Sequence, residues 1–148
     1  MRSTTAFSTT AFSTTALTAA LVLSAGAVGA AAPASAQPPL HAVRYVVTAD
    51  APFYADIYYR DVDPPTFSDY SHNPYAFSPK AEADIAPGRP WVMETRLADP
   101  FRWAMVVVTS GESPELQAPK LRCELAVDGA VVKTAAGTRG ALCSIRDW

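Results

Sequence analysis

Cys123 and Cys143 are the only two cysteines in a chain of 148 residues, and the dipeptide Asp128-Gly129 stands between them. Two cysteines permit one intramolecular pairing. Closing a loop of about 20 residues stabilises a fold by roughly 3 kcal/mol in the chain-entropy account. That is a large share of the net stability of a small domain, about 5–15 kcal/mol. Such a bond persists in oxidising compartments, so the pairing expects a chain that leaves the cytoplasm. The alternative, two free thiols or a metal site, lacks a nearby His or a third Cys.

The N-terminus supplies the export route. Arg2 is the only Lys, Arg, Asp or Glu before Arg44, and Leu17 to Ala32 is an apolar run of Ala, Leu and Val. Ala34-Ser35-Ala36 then offers the small residues that a signal peptidase requires, which predicts cleavage before Gln37. Residues 1–36 are therefore read as a signal peptide and residues 37–148 as one domain. An uncleaved anchor is the alternative, because the uncharged stretch is long enough for a hydrocarbon core of about 30 Å. The Ala and Gly content makes insertion weak. No Cys follows the apolar run, which argues against a lipid-anchored form. The pentad Ser3-Thr4-Thr5-Ala6-Phe7, repeated at Ser8 to Phe12 and with a final Leu at Ser13 to Leu17, is low-complexity sequence without an assigned role.

Beyond the leader, β-forming segments alternate with turn residues and long helical periodicity is absent. His41 to Thr48 places Val43, Tyr45 and Val47 on one face. Ala55 to Val62 sets Ile57 and Tyr59 against Asp56, Tyr58 and Arg60. Trp91 to Leu97 alternates with one wet face. Phe101 to Thr109 is apolar on both faces, which predicts a strand covered on both sides, either by the protein's own loop or by another molecule. Asp128-Gly129 between two β-prone runs predicts a type I′ hairpin over Leu121 to Ala136. A two-residue loop then pairs Val127 with Ala130, Leu125 with Val132, Cys123 with Thr134, and Glu124 with Lys133. Ala141 to Arg146 forms a final strand with Cys143 facing inward, so both sulfurs point into the core. The expected fold is all-β, a small antiparallel Ig-like β-sandwich with one disulfide and one long loop.

That loop is Asp61 to Pro90. It holds six prolines together with Phe67, Tyr70, Tyr75 and Phe77, and Lys80 to Ile85 is read as one helical turn within it. Loops of this length inside small domains are often functional. Its four aromatic residues are the candidate surface for a lipid, a sugar or a protein partner. The competing expectation is that they fold down over Ala104, Val106 and Val108 and cap the sandwich.

The sequence offers little assembled chemistry. There is no G-x-S-x-G turn, and Ser71-His72 are adjacent residues that a strand would point to opposite faces, so the pair reads as a polar loop tip. His41 reads as a surface residue. Asp61, Asp63, Asp69 and His72 match no calcium-loop spacing, and no phosphate-loop or zinc motif is present. No catalytic residue, metal or cofactor is therefore expected, and the chain is read as not an enzyme. With 12 Lys+Arg against 14 Asp+Glu, a formal charge of −2, the chain has no basic stripe for nucleic acid.

From the hairpin onward, Cys123-Glu124-Leu125-Ala126-Val127-Asp128-Gly129-Ala130-Val131-Val132, a Gly-containing loop and Cys143 resemble the extracytoplasmic domain of the mycobacterial membrane protein small (MmpS) family. Val43-Arg44-Tyr45-Val46-Val47, Ile57-Tyr58-Tyr59-Arg60-Asp61-Val62 and Pro90-Trp91 resemble its earlier strands. The resemblance implies a β-sandwich of the cell envelope that assists MmpL-type transporters in exporting lipids or siderophores. That family keeps an N-terminal transmembrane helix, whereas this leader reads as cleavable, and the 61–90 loop is longer than the family suggests. The expectation is a secreted or cell-envelope accessory protein whose partner is an MmpL-type transporter or an apolar ligand, with membrane contact only if the leader stays attached. The alternative is a secreted ligand-binding or inhibitor module that uses the aromatic loop.

Overall fold

The computed structural model describes residues 37–110 and 119–146. Eight strands, β1 (His41–Ala49), β2 (Phe53–Tyr59), β3 (Lys80–Ile85), β4 (Trp91–Leu97), β5 (Met105–Thr109), β6 (Leu121–Val127), β7 (Ala130–Gly137) and β8 (Gly140–Ser144), form two antiparallel sheets. One sheet runs β4-β1-β6-β7 and the other β3-β2-β5-β8. The leader and its predicted cleavage site lie outside the described residues. Among those described, no helix is long and apolar enough to cross a membrane.

Period-two patterning explains why these segments pair. Val43, Tyr45, Val47 and Ala49 of β1 and Leu121, Cys123, Leu125 and Val127 of β6 turn one side of their sheet inward. Ala55, Ile57, Val106, Val108, Ala141 and Cys143 answer from the other sheet. Burying each large aliphatic side chain contributes about 1.5–3 kcal/mol before the entropy of ordering is subtracted. Cys123 and Cys143 form a disulfide with Cα atoms 5.9 Å apart. Because β6 and β8 belong to different sheets, this bond crosses the core and ties the two layers together. The all-β sandwich is therefore as the alternation predicts, Ig-like in having facing sheets bridged by a disulfide.

The hairpin turn also forms as expected. Asp128 has φ 50° and Gly129 φ 82°, the two left-handed residues that a type I′ turn requires. The register differs beyond the first two pairs. Val127 pairs with Ala130 and Ala126 with Val131, after which a bulge makes Leu125 pair with Lys133, Glu124 with Thr134 and Cys123 with Ala135. Val132 is the extra residue, and Glu124 does not face Lys133. An inserted residue of this kind bends a strand and increases its twist, and the sequence pattern alone does not show it.

Three further expectations are corrected. Lys80 to Ile85 is not a helical turn but the edge strand β3, with Ala81, Ala83 and Ile85 turned to the core while Lys80, Glu82 and Asp84 face water. The strict alternation, not Pro79, decides its conformation, and the irregular segment before it ends at Pro79. Phe101 to Trp103, the start of the expected strand Phe101 to Thr109, is not strand either, since Pro100–Trp103 forms the short helix α2 and the strand begins at Met105. Asp99 caps it by accepting from the Arg102 N–H at 3.1 Å, and Pro100 occupies the first turn, where its missing N–H costs nothing. Finally, Ala104, Val106 and Val108 lie in the core between the sheets, so the facing sheet covers them and the loop aromatics are placed elsewhere.

Candidate functional site

Where β2 ends, the alternation of the strand breaks. Arg60 follows Tyr59 and is fully buried, 0% exposed, rather than sharing the outer face with Asp56 and Tyr58. Its backbone N–H donates to the Met105 carbonyl at 3.0 Å, and its carbonyl accepts from the Tyr45 hydroxyl at 2.8 Å. These bonds fix the start of the side chain. The guanidinium then donates from Nε to the Trp103 carbonyl at 3.3 Å, and from Nη1 to Ser78 Oγ at 3.0 Å and to the Phe77 carbonyl.

An aromatic layer lies over this buried cation. Helix α1 (Phe67–His72) begins at Thr66, whose hydroxyl accepts from the Asp69 N–H at 3.1 Å. It carries Tyr70, whose ring centroid sits 4.6 Å from the Arg60 guanidinium carbon. Tyr70 meets the buried ring of Trp103 edge-on at 5.8 Å and the exposed ring of Phe67 at a tilt, 6.2 Å away. Two more cations flank the rings, Arg146 4.9 Å from Phe67 and Arg102 4.9 Å from Trp103. Contacts of this type contribute about 0.5–2 kcal/mol each, more where water is excluded.

The four candidate aromatics thus divide. Tyr70 is half-buried on Arg60, and Phe77 enters through its carbonyl. Phe67 is 44% exposed at the rim, and Tyr75, on the 3₁₀ turn Pro74–Phe77, is 78% exposed. Phe101, 57% exposed, precedes Arg102 on α2. Arg60, Trp103 and Arg146 are participants that sequence reasoning missed, because only the fold brings positions 60, 70, 103 and 146 together. A local hint existed at Trp103 alone, in the Asp99-Pro100 helix start.

The polar residues near this cap serve the backbone. Asp63 accepts from the N–H groups of Ala98 and Asp99 at 2.6 and 3.1 Å, pinning the loop to the end of β4. Ser71 Oγ donates to the Ser68 carbonyl at 3.0 Å, and His72 Nδ1 lies 2.7 Å from that same carbonyl. Ser71 and His72 therefore both turn back to Ser68. Asp61, Asp63, Asp69 and His72 are not gathered, and among the described residues no three acidic, His or Cys side chains form a cluster able to hold a metal ion.

At the start of β1, His41 Nδ1 lies 2.6 Å from Asp128 Oδ2, and the Ala42 N–H donates to Asp128 Oδ1 at 2.8 Å. The His41 contact first, and the Ala42 N–H second, hold the Asp128 carboxyl below the usual range. On β3, Lys80 at 2.5 Å and then the Tyr54 hydroxyl at 2.7 Å lower the Glu82 carboxyl in the same way. These are surface clasps that hold register and carry no assembled reactive group.

Residues 45–143, from the core tyrosine to the second cysteine, match the model of the Rv2576c beta-sandwich domain. The chain belongs to this family. It is 34% identical over 113 residues to uncharacterized protein Rv2576c of Mycobacterium tuberculosis strain H37Rv, a match that spans 76% of this chain and 71% of the relative. Uncharacterized protein Mb2606c of Mycobacterium bovis is similar to the same extent. The family span 45–143 contains the disulfide and the cap residues Arg60, Phe67, Tyr70 and Trp103, whereas Arg146 lies beyond its end.

Proposed function

We propose that this member of the Rv2576c beta-sandwich family is an exported, non-enzymatic protein of the cell envelope or the secreted space. In this reading it is an accessory to MmpL-type export of lipids or siderophores, and its contact surface is the aromatic cap. The observation that carries the proposal is the arrangement at Arg60. The buried guanidinium stacks on Tyr70 beside Trp103, and Phe67, Tyr75 and Phe101 are exposed around them. Large aromatic side chains have few torsions to fix on binding and are among the residues that dominate interfaces. The Cys123, Val127-Asp128-Gly129 and Cys143 pattern supports the MmpS side of the reading, and the leader supports the compartment.

The test is co-purification of the exported protein from envelopes under mild extraction, compared with a Phe67→Ala/Tyr75→Ala variant. The proposal expects the wild type to retain an MmpL-type partner and the variant to lose most of it with its fold intact. Equal recovery from both removes the cap from the account, and recovery of neither removes the accessory role. A second reading, a secreted ligand-binding module using the same cap, is favoured by one further feature of Arg60.

A further inference from the structure

Arg60 carries five N–H donors in one plane. Nε uses one on the Trp103 carbonyl, and Nη1 uses two on the Phe77 carbonyl and Ser78 Oγ. Nη2 is buried and has no hydrogen-bond partner among the described residues. No carboxylate among the described residues lies within ion-pair distance of this guanidinium either. The Tyr70 ring covers a face of the group and leaves the donors at its edge unserved.

A buried cation with two donors that no protein group serves is costly, because no counter-charge among the described residues offsets its desolvation. Natural cores keep few such groups, and each calls for an explanation. The chemistry that satisfies it is an oxyanion, since a carboxylate or phosphate oxygen accepts charge-assisted bonds from an arginine in the guanidinium plane. The segment over the site is suited to admit one. Helix α1 is six residues long and none of its side chains is fully buried, so Tyr70 is its main anchor, and a short segment held by one half-buried ring lies toward the low-cost end of local opening.

We infer that Arg60 Nη2 is the recognition group of an anion site in the cap, taking the carboxylate or phosphate oxygen of a ligand when Tyr70 and α1 move aside. Phe67, Tyr70 and Trp103 then line the path to the cation with aromatic surface, which suits an oxyanion carried on an apolar body. The inference rests on the ligand-binding side of the proposed function. Direct anion binding and transporter recovery are separate measurements, so the failure of one is distinguishable from failure of the other.

The exported protein is titrated with inorganic phosphate and, separately, with dodecyl phosphate below its micellar concentration, following by NMR the backbone amide resonances of Phe77, Ser78 and Trp103, which surround the guanidinium and persist when Arg60 is replaced. Saturable displacement of those resonances is expected. Tyr70→Ala is expected to tighten phosphate by about tenfold, the factor by which a cover closed nine-tenths of the time lowers apparent affinity. Arg60→Gln is expected to abolish the response while the disulfide-linked fold persists. Tighter binding of dodecyl phosphate assigns the site to an amphiphile's head group, and equal binding assigns it to a free oxyanion. If Arg60→Gln does not fold, the Tyr70→Ala comparison decides alone. No saturable displacement in either wild type or Tyr70→Ala, or undiminished binding in a folded Arg60→Gln, overturns the inference.

Discussion

The Tyr45 hydroxyl, inside the sandwich, donates to the carbonyl of Arg60 at 2.8 Å. This single bond joins the core of one sheet to the cap at the end of the other. Burial, the largest influence, pushes the Tyr45 hydroxyl above the usual tyrosine range, so it stays a neutral donor at any working pH. Tyr45→Phe keeps the ring and removes the donor, leaving a buried carbonyl without that partner. The expected cost is about 1–3 kcal/mol, read as a lower midpoint in urea with an unchanged slope.

The inter-sheet disulfide makes a second prediction. Replacing Cys123 and Cys143 by Ser together is expected to cost roughly 3 kcal/mol, the value for a closed loop of this length. Both sulfurs are buried, with Cys123 3% and Cys143 0% exposed. Reductant should therefore act on the native protein slowly and at the pace of unfolding. Equilibrium denaturation with and without reductant measures the cost, and thiol trapping over time measures the pace.

Much of this architecture is legible in the sequence. Alternation in β1, β4 and β6, the Asp128-Gly129 turn and the two inward sulfurs are local patterns with direct physical meaning, and each appears where expected. The bulge at Val132 was not legible, because a one-residue insertion leaves the composition of the hairpin unchanged. Lys80 to Ile85 reads as helical because Pro79 and Pro87-Gly88 supply helix boundaries, whereas the segment's own alternation specifies a strand. At the cap, Phe67, Tyr70, Tyr75 and Phe77 stood out by type, but Arg60 did not. A fully buried arginine inside a Tyr-Tyr-Arg-Asp run carries no local mark, and only the tertiary meeting of positions 60, 70 and 103 reveals it.

The exposed and buried aromatics of the cap should separate cleanly by mutation. Tyr75→Ala is expected to leave stability within about 0.5 kcal/mol while reducing partner or ligand capture. Trp103→Ala removes a buried ring and should cost about 3–5 kcal/mol. Thermal or urea unfolding of both variants, set beside their recovery of partners from envelopes, checks the division.

The Asp128 clasp predicts a dependence on acid. Its carboxyl is held below the usual range, chiefly by His41, so the folded state binds the proton less readily than the unfolded one. A depressed acid of this kind contributes stability above its unfolded value, about pH 3.9, and loses it as the pH falls through the folded value. Asp128→Asn keeps a residue suited to the left-handed turn and removes the charge. The stability gap between wild type and variant should be present near neutral pH and close below about pH 4, which urea midpoints across that range would show.

The most direct measurement is the intact mass of the protein recovered from outside the cell, unreduced and treated with an alkylating probe. The account predicts a chain that begins at Gln37 and carries no alkyl group on Cys123 or Cys143. A chain that keeps Met1 or Arg2 contradicts the cleaved leader and restores a self-anchored subunit, and one with both cysteines alkylated contradicts the sandwich closed by its disulfide.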